Sequence, residues 1–293
     1  MKKLSIIIAS FIVSLSVVAQ MPFNRGQLVI KLWENGNPEK EYVARPSDFQ
    51  KRMLPEGYME PKLEVYRAQK PNGLCILECP GGGYTMLSDS HEGRQMSGWL
   101  NALGITYCVL EYRMPFGFSN VPLHDAEQAM KIIRNHAAEW GVEKVGVMGC
   151  SAGGHLASTL ATHYTSAETR PDFQILMYPV ITMDRTFTHM GSFENLLGKD
   201  PAQSLIDEYS NEKHVDGNTP PALMILSAYD NVVDPKNSIE YYYALRKAGV
   251  SASMHIYPSG GHGYGNLDFF PYKKEWTGEV EQWLRNVVQG RTM

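Results

Sequence analysis

Gly149-Cys150-Ser151-Ala152-Gly153 sets a serine between two glycines at G-x-S-x-G spacing. An apolar run, Lys144 to Cys150, enters this pentapeptide and a helix-compatible segment, Gly154 to His163, leaves it. Glycines belong there because a sharp strand-to-helix turn brings backbones to distances at which a Cβ would clash. Such a turn presents the serine hydroxyl at the sheet edge, so Ser151 is the expected nucleophile. A serine hydroxyl attacks carbonyls only when a base takes its proton. Of the two histidines that follow residue 230, His255 lies inside the alternating run Ala252 to Tyr257 and reads as a strand residue. His262, in Gly260-Gly261-His262-Gly263-Tyr264, sits in a glycine-rich loop just after that run and is the expected base. His155 reads as decoration of the helix after the serine.

The carboxylate that orients the base should follow the preceding strand, where Asp230 and Asp234 both stand. Asp230 is nearer the strand end, and Asp234 precedes Pro235 as a helix cap would, so Asp230 is preferred with Asp234 as the alternative. A place for the oxyanion is expected at Pro80-Gly81-Gly82-Gly83-Tyr84, whose glycines let backbone N–H groups face a carbonyl oxygen. Gly82 or Gly83, together with the N–H of Ala152, are the expected donors. A phosphate-binding reading of the same glycines fails, because no G-K-[ST] follows. Tyr84, Tyr178 and Tyr264 adjoin these loops and are candidates for an acyl or sugar pocket, structural packing being the alternative. Arg113 reads as half of a buried ion pair rather than a substrate contact.

These residues need a scaffold. Short apolar runs rich in β-branched residues alternate with helical patterns, the signature of βαβ units winding a mostly parallel sheet. Strands are expected at residues 27–33, 62–66, 74–79, 105–111, 144–150, 173–178, 222–227 and 252–257. Helices are expected from the capping pair Asp125 and Gln128 to about Glu139, from Asp234-Pro235 to Gly249, and over Lys273 to Val288. Residues 182–221 lack strand alternation and read as a loop-rich insertion over the strand ends.

Length and composition agree with one globular domain over residues 20–293 of the 293, with 43% hydrophobic and 20% charged residues. A net charge of -4 and the lack of any basic run exclude nucleic acid and anionic membrane as electrostatic partners. Residues 1–19 carry Lys2 and Lys3, an apolar stretch from Leu4 to Val18 and a small-residue cleavage site ending at Ala19. This is a signal-peptide pattern, shorter than the roughly 20 residues of a spanning helix, so the protein is expected to be exported without stable membrane insertion. Cys75, Cys79, Cys108 and Cys150 lie in or at the ends of apolar runs and are expected as free buried thiols, a Cys79–Cys150 bridge being the alternative.

At these residues the chain resembles the acetylesterase and acetylxylan-esterase-like branch of the α/β-hydrolases, which includes feruloyl-esterase-related enzymes. The resemblance runs through Leu32-Trp33, Pro80 to Tyr84, Glu111-Tyr112-Arg113, Pro122 to Ala126, Gly149 to Ala157, Ser210 with Thr219-Pro220-Pro221, Asp230 to Ser238 and His255 to Gly265. It implies the α/β-hydrolase fold, a mostly parallel central sheet of about eight strands with helices on both faces. It also implies a serine esterase that removes short acyl groups, typically acetyl, from small or oligomeric carbohydrate esters, with no metal or organic cofactor. Two positions depart from the pattern: Cys150 stands where a bulkier residue is common, and Asp234 where proline is usual. An amide or formamide hydrolase, a feruloyl-type esterase and an inactive carbohydrate-binding relative are the competing readings.

Overall fold

Runs such as Cys108-Val109-Leu110 and Leu223-Met224-Ile225-Leu226 have no polar alternation, so both faces of each strand need cover. In the computed structural model, which describes residues 28–290, they lie inside an eight-stranded sheet. The strands are β1 (Leu28–Lys31), β2 (Lys62–Tyr66), β3 (Gly73–Cys79), β4 (Thr106–Glu111), β5 (Val142–Cys150), β6 (Gln174–Met177), β7 (Ala222–Ser227) and β8 (Ala252–Tyr257). Their spatial order is β1-β2-β4-β3-β5-β6-β7-β8. β2 runs antiparallel to both neighbours, and every pairing from β4 across to β8 is parallel.

The helices are α1 (Asp48–Met53), α2 (Ser97–Ala102), α3 (Asn120–Asn135), α4 (Ala137–Trp140), α5 (Ala152–His163), α6 (Met190–Leu197), α7 (Gln203–Glu208), α8 (Lys236–Lys247) and α9 (Lys273–Trp283). The core is split by the sheet into two clusters. On one face Ala129 and Ile133 of α3, Leu156 and Leu160 of α5, and Tyr241 and Leu245 of α8 pack on Leu77, Val147 and Met224. On the other, Leu100 of α2 and Trp276, Val280 and Trp283 of α9 pack on Ile76, Met148 and Ile225. Helices on both faces leave the strand ends as the place where loops can carry chemistry.

Several expected boundaries move. α3 begins at Asn120, five residues before the expected cap, because Pro122 falls in the first turn, where its missing N–H has no helical acceptor to lose. Asp125 is therefore no cap. It is fully buried and grips Arg113, accepting from its backbone N–H at 2.9 Å and its Nη2 at 2.6 Å, while Trp33 Nε1 donates to it at 2.8 Å. That buried pair is the role expected for Arg113. The final helix stays α-helical only to Trp283 and closes in a π turn over Leu284–Val288. Residues 182–221 hold more structure than expected: α6, α7 and a 3₁₀ turn, Asn211–Lys213. Phe193, Leu196 and Leu197 recur at helical spacing there and bury against the α5 side of the core. All four cysteines are free and buried, with Cys75 and Cys108 sulfurs 3.8 Å apart. The expected leader, residues 1–19, lies outside the described residues.

Candidate active site

β3 and β5 are neighbours in register, Cys79 beside Gly149, so the loops leaving them are forced together. After β5 the chain turns at Ser151, whose φ of 53° lies in the left-handed region that a β-carbon penalises. The turn closes only because its neighbours are glycines. A Cβ on Gly149 would meet the Gly153 carbonyl oxygen at 2.2 Å, and one on Gly153 would meet the Cys79 carbonyl oxygen at 1.9 Å. Val180 N–H and Ser151 N–H tie the turn to the end of β6. Ser151 itself is only 6% exposed.

The loops after β7 and β8 bring the partners. His262 Nε2 lies 2.8 Å from Ser151 Oγ, and His262 Nδ1 lies 2.7 Å from Asp230 Oδ2. The Asp230 side chain is 2% exposed, and its other oxygen accepts from the N–H groups of Val232 and Val233, both at 2.9 Å. Because one carboxylate oxygen is occupied by backbone donors, the other is aimed at the imidazole. Asp234 is occupied elsewhere: its Oδ1 accepts the Lys236 N–H at the start of α8. The geometry therefore joins Ser151, His262 and Asp230 in one line and leaves Asp234 out.

The glycine loop after β3 lies over the serine turn. A Cβ on Gly81 would touch both the Cys150 carbonyl oxygen at 2.8 Å and Ser151 Cβ at 3.0 Å. Gly82 and Gly83 have φ of +126° and +65° and line the cavity beside Ser151. Among the described residues, the N–H groups of Gly82, Gly83 and Ala152 donate to nothing. Ala152 opens α5, so its N–H is also at the positive end of that helix.

Of the two readings open for the three tyrosines, pocket wall or structural packing, the second holds, and none of them lines the cavity. Tyr84, Tyr178 and Tyr264 are at most 1% exposed, because each hydroxyl or ring is used for packing below the loops. Tyr84 hydroxyl reaches His155 Nδ1 at 2.9 Å, while His155 Nε2 meets the Tyr209 carbonyl at 2.8 Å. A carbonyl only accepts, so His155 carries its proton on Nε2 and the tyrosine donates to Nδ1. Burial lowers the His155 pKa to about 4, so this histidine is a neutral core strut rather than surface decoration. Tyr264 stacks on Phe270 with ring centroids 3.7 Å apart. Tyr178 stands edge-on to the His262 ring at 4.8 Å, accepts from Gly265 N–H at 2.8 Å and donates to Glu92 Oε1 at 2.8 Å.

Glu92 is the group that sequence reasoning missed. Its second oxygen accepts from Gly81 N–H at 3.0 Å, so one buried carboxylate bridges the glycine loop and, through Tyr178, the loop of His262. Burial raises its carboxyl above the ordinary range, against the opposing pull of the Tyr178 hydroxyl. No local spacing marks it, since its partners are 11 and 86 residues away. Deeper in the sheet Glu78 is fully buried without a hydrogen-bond partner, and burial holds its carboxyl well above the usual range. Beside it, burial likewise pushes the Cys150 thiol up.

The mouth over Ser151 is an open cavity of about 330 Å³. Its walls come from Phe49 of α1, Met86 and His91 after the glycine loop, His189 and Gly191 at the start of α6, and Val232 beside Asp230. Phe49 is 52% and Val232 46% exposed. Among the described residues no group of three or more His, Cys, Asp or Glu side chains is arranged to hold a metal ion.

The chain belongs to the family described as alpha/beta hydrolase fold, which residues 76–266 match. Within it, the chain is 38% identical over 271 residues to an acetylxylan esterase of Xylanibacter ruminicola, an alignment covering 90% of this chain and 54% of that protein. It is 36% identical over 233 residues to endo-1,4-beta-xylanase B of Butyrivibrio fibrisolvens, covering 72% of this chain and 36% of that one. The chain thus spans about half or less of the length of these two relatives. Among solved structures, an acetyl ester-xyloside bifunctional hydrolase from Caldicellulosiruptor lactoaceticus superposes with a TM-score of 0.78 at 34% identity, covering 90% of this chain and 97% of that one.

Proposed function

We propose that this protein is a serine esterase that removes short acyl groups, acetyl above all, from carbohydrate esters such as acetylated xylan. The observation that carries the reading is the hydrogen-bonded line Ser151–His262–Asp230, ending beneath unpartnered N–H groups at the floor of an open cavity. The acetylxylan esterase and acetyl ester-xyloside hydrolase among its relatives support acetyl and xylan as acyl group and carrier.

In this mechanism Ser151 Oγ attacks the ester carbonyl carbon while its proton passes to His262 Nε2. The Asp230 carboxylate holds Nδ1–H and stabilises the imidazolium that forms. The carbonyl oxygen becomes an oxyanion and is met by Gly82 or Gly83 and Ala152 N–H groups, each such donor being worth roughly 3 kcal/mol in the transition state. Collapse breaks the bond to the alcohol, which leaves with the proton from Nε2. Water then attacks the acyl-serine, giving its proton to His262, and the acid departs as Ser151 recovers its hydrogen. Every step uses groups of the chain and water.

The leader pattern of residues 1–19 supports export to the periplasm or beyond, where polymeric xylan would be met. No helix among the described residues is long and apolar enough to cross a membrane. The test is acetate release from acetylated xylan, with p-nitrophenyl acetate, a feruloyl ester and a simple amide run beside it. Ser151→Ala is expected to abolish acetate release in a folded protein and to lose labelling by a fluorophosphonate. Full activity in that variant would refute the nucleophile. Faster turnover of the amide or feruloyl ester would replace the acetyl reading.

A further inference from the structure

His189 is the first residue of the α6 cap, and its imidazole faces the cavity beside Ser151. Its Nδ1 accepts from Ser192 N–H at 3.3 Å and lies 2.9 Å from Ser192 Oγ. A backbone N–H can only donate, so Nδ1 must offer its lone pair, and a neutral ring then carries its hydrogen on Nε2. Burial, with the neighbouring His262, holds the ring below the usual histidine pKa and favours that neutral form. Among the described residues Nε2 has no partner. The ring sits over Gly83: a Cβ on that glycine would lie 3.6 Å from His189 Cε1. It therefore stands beside the glycine loop, in the same cavity as Ser151. Gly191 makes room for it, since a Cβ there would come within 3.0 Å of Cε1 and 3.3 Å of Nε2.

We infer that His189 determines specificity for the alcohol half of the substrate, its Nε2–H donating to a sugar oxygen next to the esterified carbon. This rests on the esterase reading above and extends it. A helix cap is an economical way to hold such a donor, because one hydrogen bond fixes both the ring's direction and its tautomer. Phe49 and Val232 give the rim apolar surface alongside the polar Thr85, Ser88 and His91, and a donor fixed in one direction by a helix cap is what would distinguish a sugar from an equally bulky apolar alcohol.

The experiment compares kcat/KM on an acetylated xylo-oligosaccharide with kcat/KM on p-nitrophenyl acetate, whose alcohol has no hydroxyl beside the ester. His189→Asn keeps an acceptor for the Ser192 N–H, so α6 stays capped, but withdraws the donor from the cavity. Gly191→Ala leaves the histidine in place and crowds its ring, while alanine favours the helix. Both variants are expected to lower the sugar-to-aryl ratio about tenfold, the size of one lost directed hydrogen bond. A ratio within twofold of the parent in both, or a parallel fall on the two substrates, overturns the inference. A parent protein that cleaves the aryl acetate but not the sugar acetate overturns the carbohydrate reading itself, and is seen before any variant is made.

Discussion

Replacing Asp230 by asparagine changes one atom type yet should be among the most damaging substitutions in the protein. The native carboxylate accepts three hydrogens: Val232 and Val233 N–H on Oδ1, and His262 Nδ1–H on Oδ2. Asparagine has one accepting oxygen and one donating NH₂. If the NH₂ faced Val232 and Val233, two backbone bonds would be lost against a donor, costing about 2 kcal/mol at roughly 1 kcal/mol for each bond. The amide oxygen therefore stays with the backbone in all but about one molecule in thirty. Its NH₂ then points at His262 Nδ1, which must become an acceptor, and the imidazole proton moves to Nε2, facing Ser151 Oγ. An imidazole protonated there cannot take the serine proton. Adding the lost stabilisation of the imidazolium, kcat/KM on p-nitrophenyl acetate should fall by about 10³ to 10⁴, or roughly 4 to 5.5 kcal/mol. Asp230→Ala leaves the ring free to choose its tautomer, so the asparagine variant should be at least as slow as the alanine one. Circular dichroism would check that both are folded. An asparagine variant within tenfold of the parent, or a larger loss in Asp234→Asn, would refute this assignment of the acid.

Gly153→Ala forces a Cβ into the Cys79 carbonyl oxygen, which is backbone and cannot swing aside. It should cost about 3 kcal/mol in urea denaturation and impair turnover by displacing the glycine loop; a silent substitution would mean the turn is looser than described. Tyr178→Phe removes the hydroxyl between Glu92 and Gly265, leaving both buried groups short of a partner. A loss of about 1 to 3 kcal/mol is expected, read as a shift in denaturation midpoint, and an unchanged midpoint would count against the bridge. His155 has its pKa lowered from 6.5 to about 4 in the fold, so the unfolded chain binds the proton more readily. Its contribution is complete above pH 6.5 and is lost as pH falls toward 4, a drop of about 3 kcal/mol. The stability-versus-pH slope over that window should be shallower in His155→Phe, and identical slopes would exclude this histidine as the cause.

Ser151, Asp230 and His262 were readable from the sequence because each stands directly after or a few positions past a run legible as a strand, apolar for β5 and β7 and alternating for β8. β2, β7 and β8 fall where the alternation and apolar runs place them. What was not readable depends on partners distant in sequence. Tyr84, Tyr178 and Tyr264 adjoin the right loops, but adjacency along the chain does not say which side of a loop faces solvent, and all three turn inward. His155 follows the serine by one helical turn, and nothing local reveals that Tyr84 and the Tyr209 carbonyl wait on either side of its ring. The start of α3 was misplaced because Asp125 has the composition of a cap while Arg113, twelve residues earlier, claims its oxygens. Phe49 and His189 reach the cavity from segments without strand pattern, so only the folded arrangement identifies them as walls.

The cavity's floor and its walls have separate origins. The floor is hung from β3, β5, β7 and β8, and in the turns after β3 and β5 Gly81, Gly82, Gly149 and Gly153 are packed so closely that hardly any atom can be added. Part of the walls, Phe49 and His189 with Gly191, is contributed by a six-residue helix ahead of β2 and by the crossover between β6 and β7, neither of which is woven into the sheet. Evolution, or an engineer, can therefore retailor that part of the rim while the machinery below is inherited untouched. Divergence in which alcohols are accepted should accumulate in those two segments first.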